Sequence, residues 1–209
     1  MKKHIPTIIF YGALWGIIEA TLGHIIHILP VSIYISGTVL FPIVSYILYK
    51  AYKQTNSRSA LLAVGVIAAA IKAVDFFMPF GSPFKIVNPM IAIIMESLMV
   101  VAVITVINKD DLKSKATSLV IASVGWRLLF VLYNLGQYVA TGFVGSYIAT
   151  WSSFIQFTLL YGLISAALGV GVLYLDKFLL KDNKLLINKF NPVISLATLA
   201  VAVILTILL

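Results

Sequence analysis

The sequence predicts an all-α integral membrane protein: a six-helix core plus a seventh C-terminal span, forming one polytopic bundle over residues 1–209. Three observations carry this. Charged residues make up only 11% of the chain, against roughly 25% in soluble domains. Apolar runs of about 20 residues, the length that crosses a bilayer as helix, recur along it. Basic residues fall almost wholly in alternate connections, as membrane topology requires. No polar stretch is long enough for a separate soluble domain. The absence of cysteine removes disulfides, thiolate metal sites and a cysteine nucleophile.

The spans read as 7–29, 37–53, 60–78, 88–107, 117–139, 147–175 and 192–209. The core is 5–175, followed by a basic connection, 176–191, and the extra helix, 192–209. Met1-Lys2-Lys3-His4 before an apolar run is superficially like a signal peptide. The run is about 23 residues, longer than an h-region, and no small-residue cleavage site follows, so a retained first helix is expected. Pro6 suits a first turn, Pro30 closes the first span, and Pro79 with Gly81-Ser82-Pro83 closes the third. Ser36-Gly37 and Pro42 predict an irregular start to the second span, with residues 30–38 as loop or broken turn. Asn88-Pro89 and Asn191-Pro192 read as cap and first turn of the fourth and seventh spans. The sixth span is long enough to tilt.

Placing the N-terminus in the cytoplasm puts segments 1–4, 50–59, 108–116 and 176–191 inside. These hold twelve of the fifteen Lys and Arg residues, whereas the outer connections hold only Lys85. This bias predicts a cell-membrane protein with a cytoplasmic N-terminus and accounts for most of the +8 net charge without nucleic acid. The stretch 177–190 alternates lysine with apolar residues, so it reads either as an amphipathic segment in the inner interface or as a solvated basic loop.

Glu19, Lys72, Asp75, Glu96 and Arg127 fall deep inside apolar spans. Each charge at a helix centre costs about 2.5–3.5 kcal/mol on insertion scales, so the unpaired set would cost on the order of 10 kcal/mol. Such residues face one another or a wet cavity. Lys72 and Asp75, three apart, share a helix face and can pair. Arg127 would pair with Glu19 or Glu96, leaving one acid for a cation, a proton or a ligand's ammonium. The alternative is that all five form structural bridges. Asn88, Asn134, Gln137, Trp151, Gln156 and His27 join them in the middle or outer half, while the inner halves are apolar. That asymmetry predicts a pocket open to the outside.

His24 and His27 share a face, and with Glu19 and Asp75 they offer a zinc or manganese set. Hydrogen bonding near the headgroups explains these histidines more simply, and no metal or other cofactor is assigned. Aromatic residues such as Trp15, Phe76, Phe77, Trp126 and Tyr133 read as packing or interfacial anchors. Gly12, Gly16 and Ala20 form a small-residue stripe on the first span, open to two uses: close internal packing, or docking of a partner membrane protein.

With its basic-inside bundle, outer pocket and the segment Gly12-Ala13-Leu14-Trp15-Gly16-Ile17-Ile18-Glu19-Ala20, the chain resembles the substrate-binding S components of energy-coupling factor transporters over residues 5–175. The resemblance implies capture of a vitamin or related micronutrient outside the cell. It also implies docking through Gly12, Gly16 and Ala20 onto a transmembrane coupling subunit driven by ATPases, with Leu29–Thr38 as a lid. The family stripe is usually alanine and its core has six helices, so the glycines and the seventh span depart from it.

The residues themselves predict a binding subunit, not an enzyme, for a small polar or zwitterionic metabolite. Arg127 and Lys72 would hold a carboxylate or phosphate, and Glu19, Asp75 or Glu96 an amine, with the amides and aromatics completing the site. No nucleotide motif is present, so ATP hydrolysis would come from partners. Two rivals are an ion- or proton-coupled secondary transporter and an intramembrane metal-dependent hydrolase.

Overall fold

Capping chemistry and proline placement set the helix boundaries in the computed structural model, which describes residues 2–29, 34–78, 82–109, 111–179 and 191–209. Helix α1 (Ile5–Ile18) carries Pro6 in its first turn, where a missing N–H costs nothing. It runs through a π-helical turn, Glu19–Gly23, into α2 (His24–Ile28), and residues Ile5–Ile26 make the first membrane-length span. Helix α3 (Ile35–Thr55) ends at Asn56, in the left-handed conformation with φ 47°. Helix α4 (Arg58–Lys72) starts where the Ser57 Oγ accepts from the Ala60 N–H, and continues as a 3-10 turn over Ala73–Phe77. Helix α5 covers Phe84–Ile107. Helix α6 (Leu112–Thr141) is capped by Asp111 and ends at Gly142, whose φ of 72° suits a residue without Cβ. Thr150 caps the short α7 (Trp151–Ile155), which passes through a second π-helical turn, Gln156–Leu160, into α8 (Tyr161–Leu179). Asn191 caps α9 (Pro192–Leu208).

Six helical stretches are long and apolar enough to cross a membrane, and no strand occurs among the described residues. The multi-pass all-α bundle is therefore as expected. The seventh helix is shorter: its 17 residues rise about 25 Å, somewhat less than a ~30 Å hydrocarbon core. Its Ala202 is buried with Ala13 of α1 and Ile71 of α4.

Two proline expectations are corrected. Helix α5 begins at Phe84, not at the Asn88-Pro89 pair, because the carbonyls of Ser82 and Pro83 already accept the N–H groups of Lys85 and Ile86. Pro89 therefore lies inside the helix, as does the buried Pro42 in α3, which is helical from Ile35 onward. Residues 30–33 of the expected lid and most of the basic stretch 177–190 lie outside the described residues.

Helix α3 occupies the centre, packed on α1, α4, α5 and α8, while α1, α4, α5, α6 and α8 follow one another around it. It is the least apolar of the six spans and the most buried, which is consistent physically: a helix shielded from lipid tolerates Ser45, Thr38 and Thr55. Their hydroxyls return to carbonyls on their own helix. The helix ends nearest the basic connections are tied together. Arg58 donates to Thr105 at 3.2 Å, Gln54 donates to the Tyr11 hydroxyl at 3.0 Å, and Lys50 pairs with Asp176 at 2.8 Å. Tyr46 donates to the same Asp176 carboxylate at 2.6 Å. This basic end is closed by cross-links; the cavity lies toward the other end.

Candidate functional site

The five intramembrane charges separate into three situations. Lys72 and Asp75 form the ion pair that their spacing predicts, with Asp75 buried in the 3-10 turn after α4. Arg127 is 0% exposed yet forms no ion pair with a carboxylate among the described residues. Its guanidinium donates to the Ser123 carbonyl at 2.8 Å, to the Ser123 Oγ at 2.7 Å and to the Gly37 carbonyl at 3.2 Å. Pro42 has no N–H to give the carbonyl of Thr38 four residues back, and the guanidinium supplies donors to this same part of α3. The expected pairing of Arg127 with Glu19 or Glu96 is thus replaced by backbone and hydroxyl contacts. The third situation is Glu19 and Glu96, which form no ion pair among the described residues. Glu19 accepts from the Trp15 indole N–H at 3.2 Å, whereas Glu96 is 4% exposed and its Oε2 has no hydrogen-bond partner.

Both carboxylates line one cavity of about 120 Å³. Engineered apolar cavities of similar size admit a benzene-sized molecule. Its remaining wall comes from Tyr34, Ser36, Gly37 and Leu40 on and just before α3, and from Asn88, Pro89, Ala92 and Ile93 on α5. Trp126, Phe130, Tyr147 and Phe157 complete it. The rings are mutually packed: Tyr147 and Phe157 have centroids 4.4 Å apart, Trp126 and Phe157 5.8 Å, and Phe130 and Tyr147 5.5 Å. Glu96 lies twelve residues into α5, about 18 Å from its start, so the cavity reaches toward mid-bundle from the end opposite the lysines.

Local backbone irregularity aims several of these groups. Glu19 opens one π-helical turn and Phe157 lies in the other, and such turns advance the side-chain direction relative to a regular helix. Gly37 admits the indole edge, since a Cβ there would meet Trp126 at 2.9 Å. Tyr147 enters from the connection between α6 and α7, beside Gly145, where a Cβ would strike the Asn134 Oδ1 at 2.2 Å. Behind Asn88, its Oδ1 accepts from the Tyr133 hydroxyl at 3.1 Å and from Gln137 at 3.0 Å, which holds the amide against the wall.

Of the residues proposed from sequence, Glu19, Asn88 and Glu96 line the cavity, Gln137 supports it, and Arg127 lies behind Trp126 with its guanidinium 4.5 Å over that ring. Five others do not line it. Lys72 and Asp75 engage each other. Asn134 is buried and donates to the Phe130 carbonyl. Trp151 is exposed and stacks on Phe154, while Gln156 is exposed and donates to Ser152. The side chain of His27 lies outside the described residues. Among those residues no group of three metal-ligating side chains occurs. Aromatics were expected to complete the site, but Tyr34, Phe130, Tyr147 and Phe157 were not named for it, because rings are ordinary at membrane interfaces and Tyr147 belongs to a connection with no periodicity to read.

The small-residue stripe of α1 is used inside the chain. A Cβ at Gly12 would lie 2.7 Å from Ile67, and one at Gly16 2.7 Å from Ile71, both on α4. Ala20 is buried, and Ala13 on the adjoining face is buried in the cluster with Ala202 of α9. Gly12 and Gly16 thus serve internal packing and offer no open surface to a partner. No protein-family model, curated protein or solved structure matches the chain.

Proposed function

We propose that this membrane protein is a binding subunit that captures a small polar metabolite in the cavity from the outer face, for uptake powered by partner ATPases. The observation that carries the reading is the pair Glu19 and Glu96. Two carboxylates brought to one cavity, with no basic group bonded to either among the described residues, are costly for a bundle to keep without use. The outer assignment follows from the basic connections at the opposite end. The ATPase partners follow from the resemblance in the first span and from the lack of a nucleotide motif. With α4 packed on the stripe, such partners meet another face.

The test is native mass spectrometry of the chain released from its own membrane, compared with Glu96→Gln. A small molecule retained by the wild type and lost from the variant is the expected result. A wild-type chain that carries nothing, and binds nothing from a metabolite extract, overturns the reading. The same carboxylate pair favours one rival, a cation- or proton-coupled carrier. Accumulation of solute by proteoliposomes containing this chain alone, under an ion gradient and without ATP, selects the carrier.

A further inference from the structure

We infer that the cavity takes a small organic monocation, an ammonium on an apolar or aromatic body, with its charge held by Glu19 and Glu96. The inference deepens the binding reading above and rests on it.

Charge balance favours a cation. Lys72 and Asp75 cancel in their own ion pair. What remains around the cavity is two carboxylates against the one guanidinium of Arg127, and Glu96 is within electrostatic range of both others. With both acids ionised the set carries one net negative charge in a low-dielectric place, where an unpaired carboxyl otherwise takes up a proton, and a monocation compensates it. Glu96 supplies a second, independent sign: its buried Oε2 is without a donor.

The rest of the wall favours an organic cation over a metal ion. Metal cations require several converging oxygen ligands. Here the wall is largely aromatic and aliphatic, and the Asn88 Oδ1 already accepts two hydrogen bonds. Ring faces carry negative quadrupole density and attract ammonium and guanidinium groups. The site already contains one such contact, the Arg127 guanidinium 4.5 Å over Trp126 and 5.8 Å from the centroid of Phe157. A cation with an apolar body therefore suits both parts of the lining.

The lining also excludes the zwitterion expected from sequence. An anionic end would require Arg127 or Lys72. Lys72 is bonded to Asp75, and Arg127 is fully buried and absent from the lining, its two terminal nitrogens bonded to Ser123 and Gly37 while its Nε has no partner among the described residues. Among the described residues, no lysine or arginine lines the cavity.

The experiment titrates the full chain, in nanodiscs of phosphatidylglycerol, with benzylammonium, benzyl alcohol and benzoate, three probes alike in body and different in charge. Benzylammonium is expected to bind at least about tenfold more tightly than either analogue. Glu96→Gln and Glu19→Gln should each weaken it by about 30-fold, the scale for losing one partner of a buried charge pair. They should weaken benzyl alcohol far less, a contrast that misfolding would not produce. Discs containing phosphatidylethanolamine separate two sources of ammonium: unchanged affinity points to a soluble amine, competitive loss to a lipid headgroup, and both retain the class. Benzoate or benzyl alcohol binding as tightly as the cation overturns the class while leaving the cavity a ligand site. Sodium binding more tightly than benzylammonium overturns it in favour of a metal ion. Absence of binding by all three probes also overturns it, and a wild-type chain that in addition retains no ligand of its own brings down the broader reading too.

Discussion

Adding one methyl group at Gly12 tests how α1 meets α4, and the neighbouring Gly16 supplies the control. At Gly12 the new Cβ would lie 2.7 Å from both Cβ and Cγ2 of Ile67 and 3.1 Å from the Val64 carbonyl oxygen. At Gly16 the nearest atom, also at 2.7 Å, is the Cδ1 of Ile71, with its Cγ2 at 3.0 Å and its Cβ farther off at 3.2 Å. A Cδ1 swings aside by rotation about χ2, whereas an Ile Cβ moves only with its backbone. Overpacking costs about 1–3 kcal/mol, and replacing glycine by alanine within a helix returns about 1 kcal/mol at either position. Gly12→Ala should therefore destabilise by up to about 2 kcal/mol and Gly16→Ala by less. The assay is reversible unfolding in mixed micelles followed by circular dichroism. Combining Gly12→Ala with Ile67→Ala should show a favourable coupling of about 1 kcal/mol, because the truncated side chain vacates the space the methyl needs. Equal effects of the two alanines, or strict additivity in the double variant, would refute this packing. A Gly12→Leu chain that is as stable as wild type but fails to recruit a partner would return the stripe to a docking role.

Two further outcomes follow from other parts of the chain. Arg127→Lys should lower stability by about 2 kcal/mol, because a single ammonium does not reproduce the planar fork that reaches both Ser123 on α6 and Gly37 on α3; an unchanged unfolding midpoint would mean the fork is dispensable. Asp111 caps α6 by accepting from the Ser114 N–H at 2.6 Å, and this bond holds its carboxyl below the ordinary 3.8. Its folded value is the lower one, so the cap's contribution is fully present above the unfolded carboxyl pKa and is lost as pH falls through the folded value. Hydrogen exchange in the first turn of α6 should thus be faster in Asp111→Ala than in wild type at neutral pH, with the difference disappearing in acid; a difference constant with pH would contradict the cap.

The membrane class, the helical spans and the pairing of Lys72 with Asp75 were legible in the sequence because each depends on local geometry. A run of apolar residues has a length whatever surrounds it, and two residues three apart on a helix meet without help from other segments. The candidate site was legible only in part, as an inventory of costly residues. Glu19, Asn88 and Glu96 do line the cavity, but Trp151 and Gln156, chosen by depth alone, are exposed. Depth follows from position along a helix; direction depends on rotation about its axis. In a helix that is apolar all round, such as α1, no polar face marks the side turned to solvent.

By itself, then, the chain's order of residues decided that it enters a bilayer, where its helices run, and which side chains are too expensive to leave unpaired. The tertiary structure decided which of these converge. Arg127 finds carbonyl and hydroxyl oxygens on α6 and α3 where a carboxylate was expected, and Gly12 and Gly16 face α4 inside the bundle. Two π-helical turns and the connection bearing Tyr147 bring Glu19 and an aromatic wall to one cavity. The physical reason is that these contacts join residues far apart in the chain. Their partners are set by how helices rotate and pack, and a local pattern of hydrophobicity carries no record of that rotation.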